Sequence, residues 1–279
     1  MLQDMSVTQL SNLLEAIESF APPGLAEPWD NVGLIVSPLC PLDSFAVPRV
    51  LLTIDLTASV LDEAIAANST VIVAYHPPLF QPIKRLNQNV PKERIILQAI
   101  HAGIAIYSPH TALDVASGGV NDWLASGLGA GECRPIEPRL CPDTSAPLPR
   151  VGQGRLLELD RPVPLGTLLD RLKRHLGLEH LRVSWGERHA ESVVGRLALC
   201  AGAGVTVIQG QEADVYVTGE MRHHDVLELA SLGKTVVLSE HTHTERGFLP
   251  VFRDILMKSL NPSPAILISS QDGDPLQFV

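Results

Sequence analysis

The fold of this chain is decided by the stretch VLLTIDLTASVLDEAIAANSTVIVAYHPPLF, residues 50–80. Its apolar runs Val50–Asp55 and Thr70–Tyr75 are rich in β-branched residues, which predicts two buried strands. The apolar residues between Ser59 and Ala67 recur at helical spacing and predict a helix. A strand, a helix and a second strand in this order predict a βαβ unit and therefore a parallel sheet.

The same alternation continues along the chain and is broken once. Arg134–Gly154 contains five prolines, Pro135, Pro138, Pro142, Pro147 and Pro149, and this composition predicts a linker between two lobes. Downstream of it, strands are predicted near 196–202, 213–219, 235–240 and 265–270, with a mostly helical stretch at 241–260. We therefore expect an α/β protein of two lobes, with largely parallel or mixed sheets flanked by helices.

Composition narrows the class of function and the compartment. The net charge of -10 argues against a general nucleic-acid binder. The sequence contains no run of 18 apolar residues, so no membrane span is predicted. The four cysteines form no CxxC, so we expect free thiols in a reducing compartment. Because no Lys or Arg precedes Arg49, a targeting segment is not expected. The prediction is a cytoplasmic protein, which can also enter the nucleus with a partner.

Three segments place histidines and carboxylates where predicted strands end: YHPPLF at 75–80, HTALD at 110–114 and HTHTE at 241–245. These are the ligand types of a hydrolytic metal site. On a helix, His241 and Glu245 would share one face, although Pro250 can delay the start of that helix. Each segment also has a plainer interpretation: His76 as a strand-end or core residue, Asp114 as a helix N-cap, and HTHTE as a solvated first helical turn.

Two further segments follow predicted strands. ADVYVTGEMRHHD, residues 213–225, offers polar side chains for substrate contact or for support of a ligand, and an ordinary helix start explains each of them equally well. CAGAG, residues 200–204, is a turn of small residues, for which tight strand–helix packing is the favoured interpretation over phosphate binding.

In order, these segments, together with WDNVGLIV (29–36), DLT (55–57) and GVND (119–122), resemble the NGG-one-interacting-factor-three-like family, also called type 2 GTP cyclohydrolase I-like proteins. The resemblance runs over nearly the whole chain. It implies toroidal hexamers with dinuclear metal sites. It also implies that His76, Asp114, His241 and Glu245 bind metal, with Glu245 as the bridge. Because these ligands come from both ends of the chain, we expect residues 1–133 with 235–279 to form the metal-binding lobe, 134–154 the linker, and 155–234 the second lobe.

One residue departs from the bacterial pattern of that family. Bacterial members have two adjacent histidines where this chain has Tyr75 and His76, and a neutral phenol is a poor metal ligand. We expect one firm site, formed by His76, His241 and Glu245, and a weak or empty second site with Asp114 and Glu245. Zinc, iron, manganese or nickel suits such mixed nitrogen and oxygen ligands.

The resemblance implies a metal-dependent hydrolase of the cyclohydrolase type, in which metal-activated water attacks a nucleotide-like or phosphorylated small molecule. Glu245 would orient the reacting groups, and His110 or His224 would carry protons. The alternative is a non-catalytic metal-binding adaptor for transcription-related partner proteins, and a third option is metal storage or delivery. Neither direct nucleic-acid binding nor membrane binding is expected.

Overall fold

A computed structural model of the protein describes residues 7–140 and 147–276. The chain divides into two compact units. The first consists of Met1–Leu113 and Leu249–Val279, and the second consists of Asp114–Phe248.

The described residues form strands and helices in alternation. The strands are β1 Gly33–Val36, β2 Arg49–Thr53, β3 Val71–Ala74, β4 Ala105–Ser108, β5 Gly131–Leu140, β6 Pro147–Pro164, β7 Arg182–Ser184, β8 Val193–Cys200, β9 Val215–Thr218, β10 Thr235–Leu238 and β11 Ala265–Ile268. The helices are α1 Leu10–Phe20, α2 Ala58–Ala66, α3 Pro91–His101, α4 His110–Val115, α5 Val120–Ser126, α6 Leu165–Leu176, α7 Val205–Ile208, α8 His223–Ser231, α9 His243–Arg246 and α10 Leu249–Ser259.

The first unit is built on a five-stranded sheet of order β1-β4-β3-β2-β11. β4, β3, β2 and β11 are parallel, and β1 runs antiparallel at one edge. Leu51 and Ile72 of the sheet are buried against Leu61 of α2 and Ile96 of α3. Side chains of β3 and β4 are buried throughout, which explains their continuous apolar runs. The predicted βαβ unit is confirmed as β2, α2 and β3, and Thr57 caps α2 by accepting the Val60 N–H.

The second unit is built on a six-stranded mixed sheet of order β5-β6-β8-β9-β10-β7. β8, β9 and β10 are parallel, and the other neighbours are antiparallel. Tyr216 and Leu238 lie in its core with Ile208 of α7 and Leu229 of α8. The predicted fold class, two α/β lobes with largely parallel or mixed sheets, is confirmed.

The described residues of the stretch predicted to be a linker, 134–140 and 147–154, lie instead in strands of this second sheet. They belong to β5 and β6, which pair antiparallel from Gly131 opposite Leu159 to Leu140 opposite Pro147. β5 is an edge strand with a neighbour on one side only, and edge strands are where a sheet tolerates proline. The proline count was therefore a misleading signal.

The lobe boundaries also differ from those expected. Residues 114–133 and 235–248 belong to the second unit, because β10 pairs on both sides with β9 and β7. Only α10 and β11 return to the first unit, where β11 pairs with β2.

The helical stretch predicted at 241–260 is interrupted. α9 ends at Arg246 and α10 begins at Leu249, so Pro250 lies in the first turn of α10, where its missing N–H costs no hydrogen bond. Within the described ranges, Cys40, Cys133 and Cys200 are free thiols. None of the helices in those ranges is long and apolar enough to cross a membrane.

Candidate metal site

His76 follows directly on β3, at the carboxyl end of a central parallel strand. Its N–H donates to the Ile54 carbonyl at 3.0 Å. Its Nδ1 lies 2.9 Å from Oδ1 of Asp55, which follows the neighbouring strand β2. A carboxylate on Nδ1 favours the tautomer whose lone pair is on Nε2, which is the form of histidine that binds metal ions. The contact with Asp55 therefore favours the form of His76 that can bind a metal ion.

His241 and Glu245 follow β10 in the second unit. Nδ1 of His241 lies 2.7 Å from Oε1 of Glu220, so this imidazole has the same tautomeric preference as His76. Its Nε2 lies 3.3 Å from Oε1 of Glu245, whose side chain is only 3% exposed. Although α9 begins only at His243, the Arg246 N–H already bonds the Thr242 carbonyl, so one continuous turn carries both side chains. The two side chains meet as the four-residue spacing predicts.

Gly202, in the CAGAG turn after β8, lies against both of these ligands. A Cβ built on Gly202 would be 2.9 Å from Oε1 of Glu245 and 3.0 Å from Nε2 of His241. The Gly202 N–H donates to the Thr244 hydroxyl at 2.8 Å, and that hydroxyl donates to the His241 carbonyl at 2.6 Å. Its φ of +62° also favours glycine. The turn thus keeps space beside the two ligand atoms, a role that was not predicted from its sequence.

One group of side chains in the described part of the chain could hold a metal ion. It consists of His76, His241 and Glu245, whose ligand atoms all lie within 4.8 Å of one another. These are the residues that the family resemblance implies for the firm site. Two imidazoles with prepared tautomers and one carboxylate suit zinc, iron, manganese or nickel, and Gly202 leaves the space beside them. The residues present fit a divalent metal ion.

The comparisons with known proteins agree with the motifs. The profile of the family Duf34/NIF3 (NGG1p interacting factor 3) matches residues 8–275. The chain belongs to the Duf34/NIF3 family. NIF3-like protein 1 of Homo sapiens is 38% identical, over 98% of this chain and 93% of the relative. NGG1-interacting factor 3 of Saccharomyces cerevisiae is 37% identical, over 96% of each.

Solved structures show the same fold. Staphylococcus aureus hypothetical protein SA1388 superposes with a TM-score of 0.83 at 25% identity, covering 98% of this chain and 100% of its own. Reduced HcgD from Methanocaldococcus jannaschii gives a TM-score of 0.79 at 25% identity, covering 96% of this chain and 100% of its own. The family resemblance predicted from the sequence is confirmed.

Asp114, the remaining ligand implied by the NIF3-family resemblance, lies inside α4. The N-cap interpretation of Asp114 is wrong, because the N-cap of the next helix is Gly119. Burial and the nearby charge of Asp114 both raise the pKa of the Cys200 thiol. Among the described residues, Asp114 is not part of the group that could hold a metal ion. Its role in a second site stays a prediction.

His110 begins α4 and has a carboxylate partner of its own. Its Nδ1 lies 2.7 Å from Oδ1 of Asp30, and Oδ2 of Asp30 accepts the Thr111 N–H at 3.1 Å and the Thr111 hydroxyl. Burial alone would raise the pKa of Asp30, but the hydrogen bond and charge of His110 and the two bonds from Thr111 lower it. The His110 ring lies 5.2 Å from that of His76 and 5.5 Å from that of buried Tyr75.

The residues singled out around β9 divide into two groups. Thr218 is buried and donates to the Gly202 carbonyl at 2.9 Å, so it and Glu220 support the site. His223 and His224 are exposed on α8 with their rings 5.5 Å apart. Asp30 and Asp55 belong to the WDNVGLIV and DLT motifs, but their contacts with histidines were not predicted from the sequence. The signal available for both was a carboxylate beside a predicted strand end.

Proposed function

We propose that this NIF3-family protein is a metal-dependent hydrolase of the cyclohydrolase type, acting on a nucleotide-like or phosphorylated small molecule. The observation that carries the proposal is the group of His76, His241 and Glu245. Both of its imidazoles have a carboxylate on Nδ1, from Asp55 and Glu220. Such carboxylate–histidine pairs are the outer support of metal sites.

His76 and His241 would hold the metal through Nε2, and Glu245 through its carboxylate. When bound there, a divalent cation would supply a water of lowered pKa as a nucleophile near neutral pH. The burial of Glu245 excludes solvent from the carboxylate and strengthens its electrostatic interaction with a cation. We assign to Asp114 and Glu245 a second, weaker metal position, because Tyr75 stands where an imidazole would complete it.

Proton transfer is assigned to His110. Asp30 holds its Nδ1, so Nε2 is the atom that accepts or returns a proton. The distance of 5.2 Å between the rings of His110 and His76 supports this assignment, because His76 is a proposed ligand. His224, exposed on α8, is the second proposed proton carrier.

A second candidate function is a non-catalytic, metal-binding adaptor. The yeast relative is named NGG1-interacting factor 3, which records interaction of that protein with a partner. A comparable transcription-related partner for this chain would place it in the nucleus as well as the cytoplasm. The toroidal hexamer implied by the resemblance is part of either proposal.

The first test is the metal content per chain of protein purified without chelator or affinity-metal resin. Wild type is compared with the double variant His241→Ala, Glu245→Ala and with the control His243→Ala. His243 lies in the same turn, but its Nδ1 bonds the Ser239 carbonyl and it is outside the metal-binding group. We expect one or two metals in wild type and in the control, and almost none in the double variant.

The same proteins are then assayed for hydrolysis of nucleotides, GTP included, and of phosphate esters. Turnover that needs metal and disappears in Glu245→Ala supports the hydrolase. Full metal content without turnover on any of these compounds favours the adaptor. Wild type that holds no metal even after reconstitution overturns the metal-dependent proposal.

A further inference from the structure

Trp29 and Phe80 form an exposed aromatic pair in the first unit, called here the aromatic platform. Their side chains are 60% and 41% exposed, and their ring centroids lie 5.9 Å apart with a tilt of 59°. Aromatic side chains that are this exposed indicate a binding surface, because they remove a large apolar area from water when a ligand covers them.

The platform is held in place by polar contacts on both of its loops. The Glu27 N–H donates to the Thr111 hydroxyl at 2.9 Å, and Asp30 bonds His110, so the residues on both sides of Trp29 are fixed to the start of α4. The Asn31 side chain donates to the carbonyl of Leu79, the residue before Phe80. A rigid aromatic surface loses little conformational entropy when a ligand covers it.

The platform is continuous with His110 and His76. The His110 ring lies 6.2 Å from Trp29 and 6.4 Å from Phe80, in both cases edge to face. The same imidazole lies 5.2 Å from the ring of His76. An aromatic surface therefore runs from solvent to a proposed metal ligand through a proposed proton carrier.

We propose that the aromatic platform binds the planar heteroaromatic ring of the substrate by stacking, which makes Trp29 and Phe80 substrate-binding residues. This inference rests on the proposed function and names its substrate class: a compound with a purine-like ring, rather than a phosphorylated compound without one. Stacking tolerates any ring with a π-face. The platform therefore selects for an aromatic ring, and polar groups must distinguish one ring from another.

The aromatic character of the platform favours a ligand with a ring over an aliphatic ligand. Aromatic side chains pair with other rings in offset or edge-to-face geometry and contribute beyond the area that they bury. The site also needs no arginine or lysine to attract a ring, whereas a ringless phosphate would depend on such charges. Replacing the indole by another aromatic ring should therefore preserve binding, and replacing it by an aliphatic side chain should not.

The test uses the metal-loaded, full-length protein and isothermal titration with three probes: AMP, GMP and ribose 5-phosphate. The first two carry a purine, and the third carries the sugar and phosphate without a ring. Wild type is compared with Trp29→Ala, Trp29→Leu, Trp29→Phe and Phe80→Ala. The control is Trp185→Ala, a tryptophan that follows β7 in the second unit and is 41% exposed.

We expect Trp29→Ala and Trp29→Leu to weaken binding of at least one purine nucleotide by about 5- to 150-fold, the measured range for losing one base–aromatic stack. Trp29→Phe should retain most of the affinity, Phe80→Ala should show a smaller loss, and Trp185→Ala should bind as wild type does. Binding of ribose 5-phosphate should be the same in all of these proteins.

Three results would overturn the inference: wild type that binds neither nucleotide, Trp29→Ala that binds them normally, or equal losses for nucleotide and ribose 5-phosphate. A change in oligomeric state of Trp29→Ala by light scattering would also overturn it, because a second copy would then be the occupant. Measuring metal content distinguishes a failure of this inference from a failure of the proposed function. The His241→Ala, Glu245→Ala double variant tests the metal, and Trp29→Ala should retain it.

Discussion

Gly202→Ala should weaken metal binding although the new methyl group replaces no ligand. The built Cβ lies 2.9 Å from Oε1 of Glu245 and 3.0 Å from Nε2 of His241, while ordinary contact begins at 3.4 Å. The two ligand atoms must therefore retreat by about 0.5 Å and 0.4 Å, or the turn must move. Binding sites tolerate displacements of about 0.5 Å before they lose their geometry.

The magnitude follows from two separate effects. Displaced support around a metal typically reduces affinity about 10- to 100-fold, which is about 1.4–2.8 kcal/mol. Independently, an alanine at the φ of +62° of Gly202 costs about 1–2 kcal/mol of folding stability. Gly210→Ala is the matched control, because Gly210 has a φ of +80° in the same unit but nothing within 4 Å of a built Cβ. It should lose the same stability and bind metal normally.

The assay is a competition titration of the apoprotein with Zn²⁺ and Mn²⁺ against a chelating dye, together with denaturant unfolding of each variant. The reasoning is refuted if Gly202→Ala binds metal as tightly as wild type. It is equally refuted if Gly210→Ala loses as much metal affinity, because the effect would then come from backbone strain alone.

Three further changes test other parts of the structure. Glu220→Gln, which removes the carboxylate on Nδ1 of His241, should lower metal affinity about 10- to 100-fold in the same titration, and unchanged affinity would contradict the role of Glu220. Asp122→Ala leaves the fully buried Arg155 without its 2.7 Å ion pair. It should lower the free energy of unfolding, measured in urea, by about 3–5 kcal/mol, and Asp122→Asn should lower it by less. Burial alone would raise the pKa of Asp214, but two backbone N–H groups and an arginine lower it. The stability that the Asp214 carboxylate contributes is therefore present above pH about 4 and is lost as the pH falls through the lowered pKa. Asp214→Asn should reduce the free energy of unfolding by about 1 kcal/mol at pH 7 and make stability less dependent on pH in the acid range.

The pattern of apolar residues predicts much of the first unit because its central strands are buried on both faces. β2, β3 and β4 each appear in the sequence as a continuous apolar run, and α2 and α3 as periodic ones. The same rule fails at β5, where prolines stand in a real strand. Whether a proline is tolerated depends on which strand lies at the sheet edge, and the strand order is a tertiary property.

The ligand types at the site could be predicted, but their carboxylate partners could not, because strand register selects those partners. β2 and β3 pair with an offset of 21 residues, Val50 opposite Val71. Continued past the strand ends, this register places Asp55 opposite His76. No spacing rule for a single helix or strand brings residues 21 apart together. The pairing follows only once the two strands are known to be parallel neighbours.

Strand register also selects the carboxylate partner in the second sheet and at the edge of the first sheet, where the paired strands are antiparallel. β9 and β10 pair with an offset of 20, which brings Glu220 opposite Glu240 and beside His241. β1 is antiparallel to β4, with Gly33 opposite Ser108, so its beginning meets the end of β4 and Asp30 falls opposite Thr111.

An antiparallel β1 is therefore required for the Asp30–His110 pair, because a parallel strand would present its amino end at the opposite edge of the sheet. Each of the three histidines follows a strand at its carboxyl end, where ligands bind in α/β sheets, and each receives its carboxylate from the strand beside it. Shifting one of these registers by a single residue would send the carboxylate to the other face and leave the imidazole tautomer undefined. Strand pairing thus brings histidines and acids that are far apart in the sequence into hydrogen-bonded pairs.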